Sequence, residues 1–158
     1  MSKAPEKTIR QQLIKHIRGG MAFAPIDTII EDVEFSKLGI RPAALPYSFY
    51  ELFYHVWSAQ NDILEYCRNP DYEAPSWPDD YWPENRIPES EQVWNNLVLK
   101  FKEERDELCQ MILNPTNDLT KPLANHPDHI LLREIEIVIE HNAYHTGQLM
   151  IIKRLLRQ

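Results

Sequence analysis

Apolar residues return every three or four positions in several stretches of this chain, a period that predicts helices rather than strands. Ile9, Leu13 and Ile17 mark a first helix over 7–17, with Gly19-Gly20 placed to end it. A short helical piece is expected over 28–34, with Ile29, Ile30 and Val33 as its apolar side and Asp27 as its N-cap. Phe49, Leu52, Phe53, Val56, Gln60, Ile63, Leu64 and Cys67 then define a strong helical face. Ser48, with Glu51 three residues on, reads as a capping box at its start. Ser90 is placed to cap a helix over 91–113, whose core stripe is Trp94, Leu97, Val98, Phe101, Leu108, Met111 and Ile112. Lys100, Lys102, Glu103, Glu104 and Arg105 are expected on its solvated face. A last helix is expected over about 129–156, capped by Asp128 and striped by Val138, Leu149, Ile152 and Leu156.

The connections carry the prolines, and none falls inside a periodic segment. The longest, 69–88, holds five prolines together with Trp77, Tyr81 and Trp82. Disordered linkers are poor in aromatics, so this segment is expected to pack over the helices, with pocket-lining as the lesser reading. No strand-like alternation and no repeat stands out. Four amphipathic helices joined by long loops predict an all-α four-helix bundle forming a single domain over 1–158.

Composition narrows the partners. The 158 residues are 43% hydrophobic and 26% charged, ordinary values for a globular protein with a substantial core. A net charge of -7 argues against nucleic acid or an anionic membrane as the main partner, since both need a basic face. Cys67 and Cys109 are far apart and in no CxxC arrangement, so buried free thiols are expected. The first residues lack a hydrophobic signal core, and no apolar run approaches membrane-spanning length. A cytoplasmic location is expected.

The candidate chemistry lies in the last helix. His141 and His145 are four apart and fall near the centre of its apolar stripe, so their imidazoles share one face. One helix turn can offer two ring nitrogens to a single divalent ion. A core-facing histidine is ordinarily a hydrogen-bonded packing residue, and a third ligand from another helix is what would favour the metal. His55 lies at the edge of its helical face, where it can reach a neighbouring helix. His126 and His129 read as surface loop and helix start. Other sites lack their motifs: there is no pair of Glu-x-x-His for a di-iron bundle, no HExxH, and no GxSxG.

The stretches RPAALPYSFYELFYHVWSAQNDILEYCRNPDY, WPDDYWP and REIEIVIEHNAYHTGQL resemble the DinB-like superfamily, also called DinB/YfiT-like. The resemblance runs from about Leu13 to the end. It implies a DinB-type four-helix bundle, commonly a homodimer, in which His55, His141 and His145 bind one divalent metal. Three neutral imidazoles leave a coordination position open, and zinc or nickel suits such a set. Characterised members use a metal of this kind in thiol-dependent S-transfer and isomerisation. The resemblance therefore implies a metal-dependent enzyme activating a low-molecular-weight thiol against a small electrophilic substrate. The alternative is a non-enzymatic metal-binding or stress-response bundle. Glu51, Glu134 and Gln148 are candidate partners that would fix an imidazole tautomer. Tyr144 would donate a hydrogen bond into the pocket or pack between subunits.

Overall fold

The computed structural model describes residues 3–124 and 126–157. The helices are α1 (Lys3–Arg18), α2 (Ile26–Ile30), α3 (Phe49–Arg68), α4 (Glu91–Leu113) and α5 (Leu131–Leu155). A two-stranded antiparallel ribbon, β1 (Pro122–Leu123) and β2 (His126–Ile130), precedes α5. The four long helices form the all-α bundle: α1 and α3 each pack against both α4 and α5, and α2 packs on α5.

Local chemistry sets the boundaries. Ser48 and Glu51 form the expected capping box of α3, each satisfying the other's backbone N–H. Ser90 caps α4 by accepting from the Val93 amide. Gly19 and Gly20 hold φ of 74° and 88°, the left-handed region, and stop α1. Two expected caps fail. α2 starts after Pro25 without a side-chain cap, and α5 starts at Leu131 after Ile130, also without one. The Asp27 carboxylate is occupied by the fork of Arg105, at 2.6 and 3.1 Å. Asp128 lies within β2, two residues too early to cap α5.

Hydrogen bonds and ring contacts between helices fix their directions. Phe53 packs on Trp94 and Phe101, Gln60 on the Phe101 carbonyl, Asn61 on Glu104, and Arg68 on Glu107. Both numbers rise together, so α3 and α4 run parallel. His55 meets His141, Gln60 meets Asn142, and Tyr66 meets His129, so α5 runs antiparallel to α3. Arg10 reaches Ile112 while Arg18 reaches Asp106, so α1 opposes α4. Two parallel neighbours cannot be joined by a tight turn. The chain between them must travel the length of a helix, about 30 Å for twenty residues. That is the task of the Pro-rich segment 69–90, and it explains the length of this connection.

The core follows the apolar stripes. Phe49, Leu52, Phe53, Val56 and Phe101 are fully buried with Leu149 and Ile152 at one end of the bundle, and Ile17, Cys109, Ile112, Leu131 and Ile135 fill the other. Each such side chain contributes about 1.5–3 kcal/mol through burial, and the edge-on rings of Phe53, Trp94 and Phe101 add about 0.5–1.5 kcal/mol per pair. Both cysteines are free, Cys109 buried and Cys67 partly so. Among the described residues no helix is long and apolar enough to cross a membrane.

Glu104 and Arg105 do not face solvent as expected; they are 5% and 8% exposed. A helical stripe that runs from Phe101 to Leu108 must pass through them. Their burial is supported by partners: Glu104 accepts from the Trp57 indole and the Asn61 amide, and Arg105 grips Asp27. Lys153, also buried, donates to the Thr28 and Ile29 carbonyls at the end of α2.

Arg10 ties α1 to the far end of α4. It is buried and donates to the backbone carbonyls of Ile112, Asn114 and Asn117 while pairing with Glu6. Arg10→Met keeps the apolar stem but leaves three carbonyls without their donor. The expected loss is about 2–3 kcal/mol of stability, read as a lower urea midpoint with helical content unchanged at zero denaturant.

Candidate metal centre

The antiparallel pairing of α3 with α5 brings the three expected histidines together. His55, His141 and His145 each offer one ring nitrogen, and these atoms all lie within 4.8 Å of one another. Their ring centroids are 4.4–5.0 Å apart. This is the one His, Cys, Asp or Glu cluster of such convergence among the described residues. His55 is not at an edge: it is 3% exposed, because the loop after α3 closes over it. His145 is 9% exposed and His141 half-buried.

The inward atoms can be assigned from their neighbours. Nδ1 of His145 lies 2.6 Å from Oε1 of Gln148. An amide oxygen only accepts, so Nδ1 carries the proton and the Nε2 lone pair is left free. Gln148 therefore does what was expected of it. Nε2 of His141 and Nε2 of His55 face each other at 3.1 Å. Two nitrogens bound at about 2.0–2.1 Å to one tetrahedral zinc sit about 3.3 Å apart, close to this spacing. Nδ1 of His55 and Nδ1 of His141 are buried without a hydrogen-bond partner of full geometry. For His55 the backbone of Tyr81 is the nearest opposing influence, and for His141 the side chain of Asn142.

Burial sets the protonation state. Desolvation, reinforced by the neighbouring His145, pulls His55 and His141 down to about 4. Burial also lowers His145, opposed by its bond to Gln148. All three imidazoles are neutral at pH 7, the form that ligates a metal. Converging nitrogens, neutral rings and two Nδ1 atoms facing away from the cluster fit a divalent cation.

Aromatic rings wall the cluster. Trp82 lies face to face on His55, with centroids 4.3 Å apart and planes 4° apart, and Tyr47 stacks beyond Trp82 at 5.8 Å. Trp77 leans on His55 at 5.7 Å, and Tyr144 sets its edge to His145 at 4.8 Å. Trp77 and Tyr144 are themselves exposed and form the rim. The 69–88 segment thus lines the site as well as covering the bundle. Its aromatic content was visible in the sequence; its position over His55 follows from the parallel crossover.

Other candidates fall elsewhere. Glu134 pairs with Arg133 and lies 3.7 Å from His129, at the opposite end of α5's buried face from His145, so it does not orient His141. Glu51 is held by the Ser48 amide and by Arg41, so its role is the cap. His126 stacks on Tyr66 at 4.0 Å, and His129 hydrogen-bonds the Tyr66 hydroxyl at 2.7 Å; neither is a bare surface residue. Trp82 was legible only as one aromatic of a loop expected to pack, with pocket-lining the lesser reading. Tyr47 carried no signal, since nothing in periodicity reports what a loop stacks against.

A family model described as the DinB superfamily matches residues 26–149, from α2 through most of α5. No curated protein and no solved structure matches the chain.

The depressed histidines predict a pH dependence for the metal-free protein. The fold holds His55 and His141 near 4, whereas the unfolded chain titrates near 6.5. Above pH 6.5 neither state takes up these protons. Between 6.5 and 4 the unfolded chain binds protons that the fold refuses, so stability falls with pH across that window. Urea midpoints of the metal-free chain should drop from pH 7 to pH 4. The slope should be shallower in the double variant His55→Gln, His141→Gln.

Proposed function

The chain belongs to the DinB superfamily, and from that premise we propose that His55, His141 and His145 hold one divalent cation that activates a small thiol toward an electrophilic substrate. The observation that carries the reading is the convergence of three largely enclosed, neutral imidazoles from two helices, with nitrogens 4.8 Å or less apart. Zinc or nickel suits this all-nitrogen set.

His55, His141 and His145 would hold the cation, and three neutral rings would leave it the charge and the open position that lower the pKa of a bound thiol or water. The chain's residues supply the rest. Gln148 fixes the His145 tautomer so that its Nε2 faces the cluster. Trp82 and Trp77 exclude water from the His55 side. Tyr144 stands at the rim beside His145, and burial together with the neighbouring Tyr144 raises the Tyr47 phenol. Both are phenols that can donate to a substrate oxygen.

The thiol comes from outside the chain. Burial pushes the Cys67 thiol up to about 12 and raises Cys109 as well, so neither forms a thiolate at neutral pH. The thiol proton would pass to solvent first. The thiolate sulfur would then form a C–S bond to the electrophilic carbon as that carbon's leaving group departs with the bonding pair. On an activated double bond, the π pair would instead shift to the neighbouring carbon, which takes a proton from solvent. A transferase or isomerase of small electrophiles is the reaction class this supports. The same reading carries a homodimer: α5 leaves Tyr144, Ile151 and Leu155 exposed along one stripe, which a second copy would cover.

Metal analysis of the purified chain should find one divalent ion per chain, with near-complete loss in His55→Ala, His141→Ala or His145→Ala and helicity retained. Full occupancy in any of these variants refutes the ligand set. The zinc-loaded chain should accelerate attack of a low-molecular-weight thiol on a chromogenic aryl halide, and a chelator should abolish the acceleration. Stoichiometric metal with no acceleration across a panel of thiols would leave the centre standing and remove the enzyme reading. Sedimentation at micromolar concentration tests the dimer, which Ile151→Glu should weaken.

A further inference from the structure

Two of the three imidazoles at this centre differ in how they are held. His145 has the usual device, a hydrogen bond from Nδ1 to an acceptor, here Gln148 at 2.6 Å. His55 is held more weakly: the Tyr81 backbone acts on the ring, but its buried Nδ1 makes no hydrogen bond of full geometry. A ring without a well-formed hydrogen bond on its outer nitrogen is only loosely held about its χ2 bond, which is a soft torsion. Yet His55 is almost wholly enclosed. What encloses it is the indole of Trp82, parallel to within 4° at 4.3 Å, with Tyr47 stacked behind at 5.8 Å and an interplanar angle of 22°.

We propose that Trp82 is the positioning residue for His55, its stacked indole holding the ring in the ligating plane where its outer nitrogen lacks a well-formed hydrogen bond. This rests on the three-histidine reading given above. A turn of the imidazole about χ2 would drive its edge into the indole face, so the stack confines the one torsion that aims Nε2. Tyr47 supports the indole from behind. The segment that carries Trp82 is anchored on both sides: the turn Asp79–Tyr81 immediately precedes it, and the Arg86 carbonyl accepts from the Ser48 hydroxyl. Nearby, Gly39 has no Cβ where one would collide with Ile87, so the loop lies directly on the backbone beneath it.

The stack also responds to the cation. Two neutral rings in an offset parallel stack gain a modest amount. An imidazole that donates to a dication becomes electron-poor, and the indole face is the best aromatic partner for positive charge. The indole therefore favours the liganded ring over the free one, and removing it should weaken metal binding more than it weakens the fold.

The test compares zinc affinity, by competition with a chromophoric chelator, in wild type, Trp82→Leu and Trp82→Phe. Leu retains apolar bulk without a π face; Phe retains a face. The expected result is an affinity ten- to a hundred-fold weaker in Trp82→Leu, in the range typical for loss of a ligand-orienting group, with most of it recovered in Trp82→Phe. Melting temperatures of the zinc-free variants should stay close to each other, which separates orientation of a ligand from general packing. Wild-type affinity in Trp82→Leu overturns the proposal while leaving the centre intact, as does a Trp82→Phe variant as weak as Trp82→Leu. A wild-type chain that takes up no zinc overturns the centre, and the role of Trp82 with it.

Discussion

Gln60 sits 1% exposed at the middle of the bundle and joins three helices at once. Its amide donates to the Phe101 carbonyl of α4 and accepts from Asn142 of α5, while Thr146 returns a bond to the Asn142 carbonyl. A buried amide left without partners is costly, so helix slides that break these bonds are resisted in a way that leucine contacts would not resist them. This register puts His55, five residues before Gln60, beside His141, the neighbour of Asn142. The three-histidine cluster depends on that alignment, since a slide of one turn would carry the rings about 5.4 Å apart along the axis.

The second constraint is topological. Because α3 and α4 run parallel, their connection cannot be short, and it has to lie along the outside of the bundle. A segment forced to run that distance must bury something or remain a floppy tether. Its aromatics do this: Tyr81 is buried within the fold and Trp82 packs on His55, while Trp77 rests against both His55 and Tyr81 at the exposed rim. The same crossover that solves a connectivity problem closes the site on one side and leaves α5 open on the other, where Tyr144 stands exposed. Charge is managed in the same economical way. Arg10, Arg105 and Lys153 are all buried, and each is matched to carbonyls or a carboxylate at the end of a neighbouring element.

Much of this was legible from residue order. The capping box at Ser48 and Glu51, the double glycine after α1, the apolar stripes other than at the exposed Ile9, and the His141/His145 pair all depend on neighbours within about four residues, and appear as read. What misled was mostly a matter of partners. Asp27 has the right chemistry for a cap but is taken by Arg105, seventy-eight residues away. Glu104 and Arg105 look like solvated charge until Trp57, Asn61 and Asp27 arrive to satisfy them. Glu134 shares a helix face with His141, yet pairs at the other end of it with Arg133.

The sequence by itself determined where the helices run, which faces they bury, and that two imidazoles stand one turn apart on a face turned inward. Those follow from backbone periodicity and local hydrogen bonding, which need no knowledge of the rest of the chain. Only the tertiary structure decided that His55 completes the cluster, that Gln148 and not Glu134 orients a ring, and that Trp82 covers the site. A helical period gives each side chain a direction, but what it meets in that direction is set by the register and handedness of the packed whole.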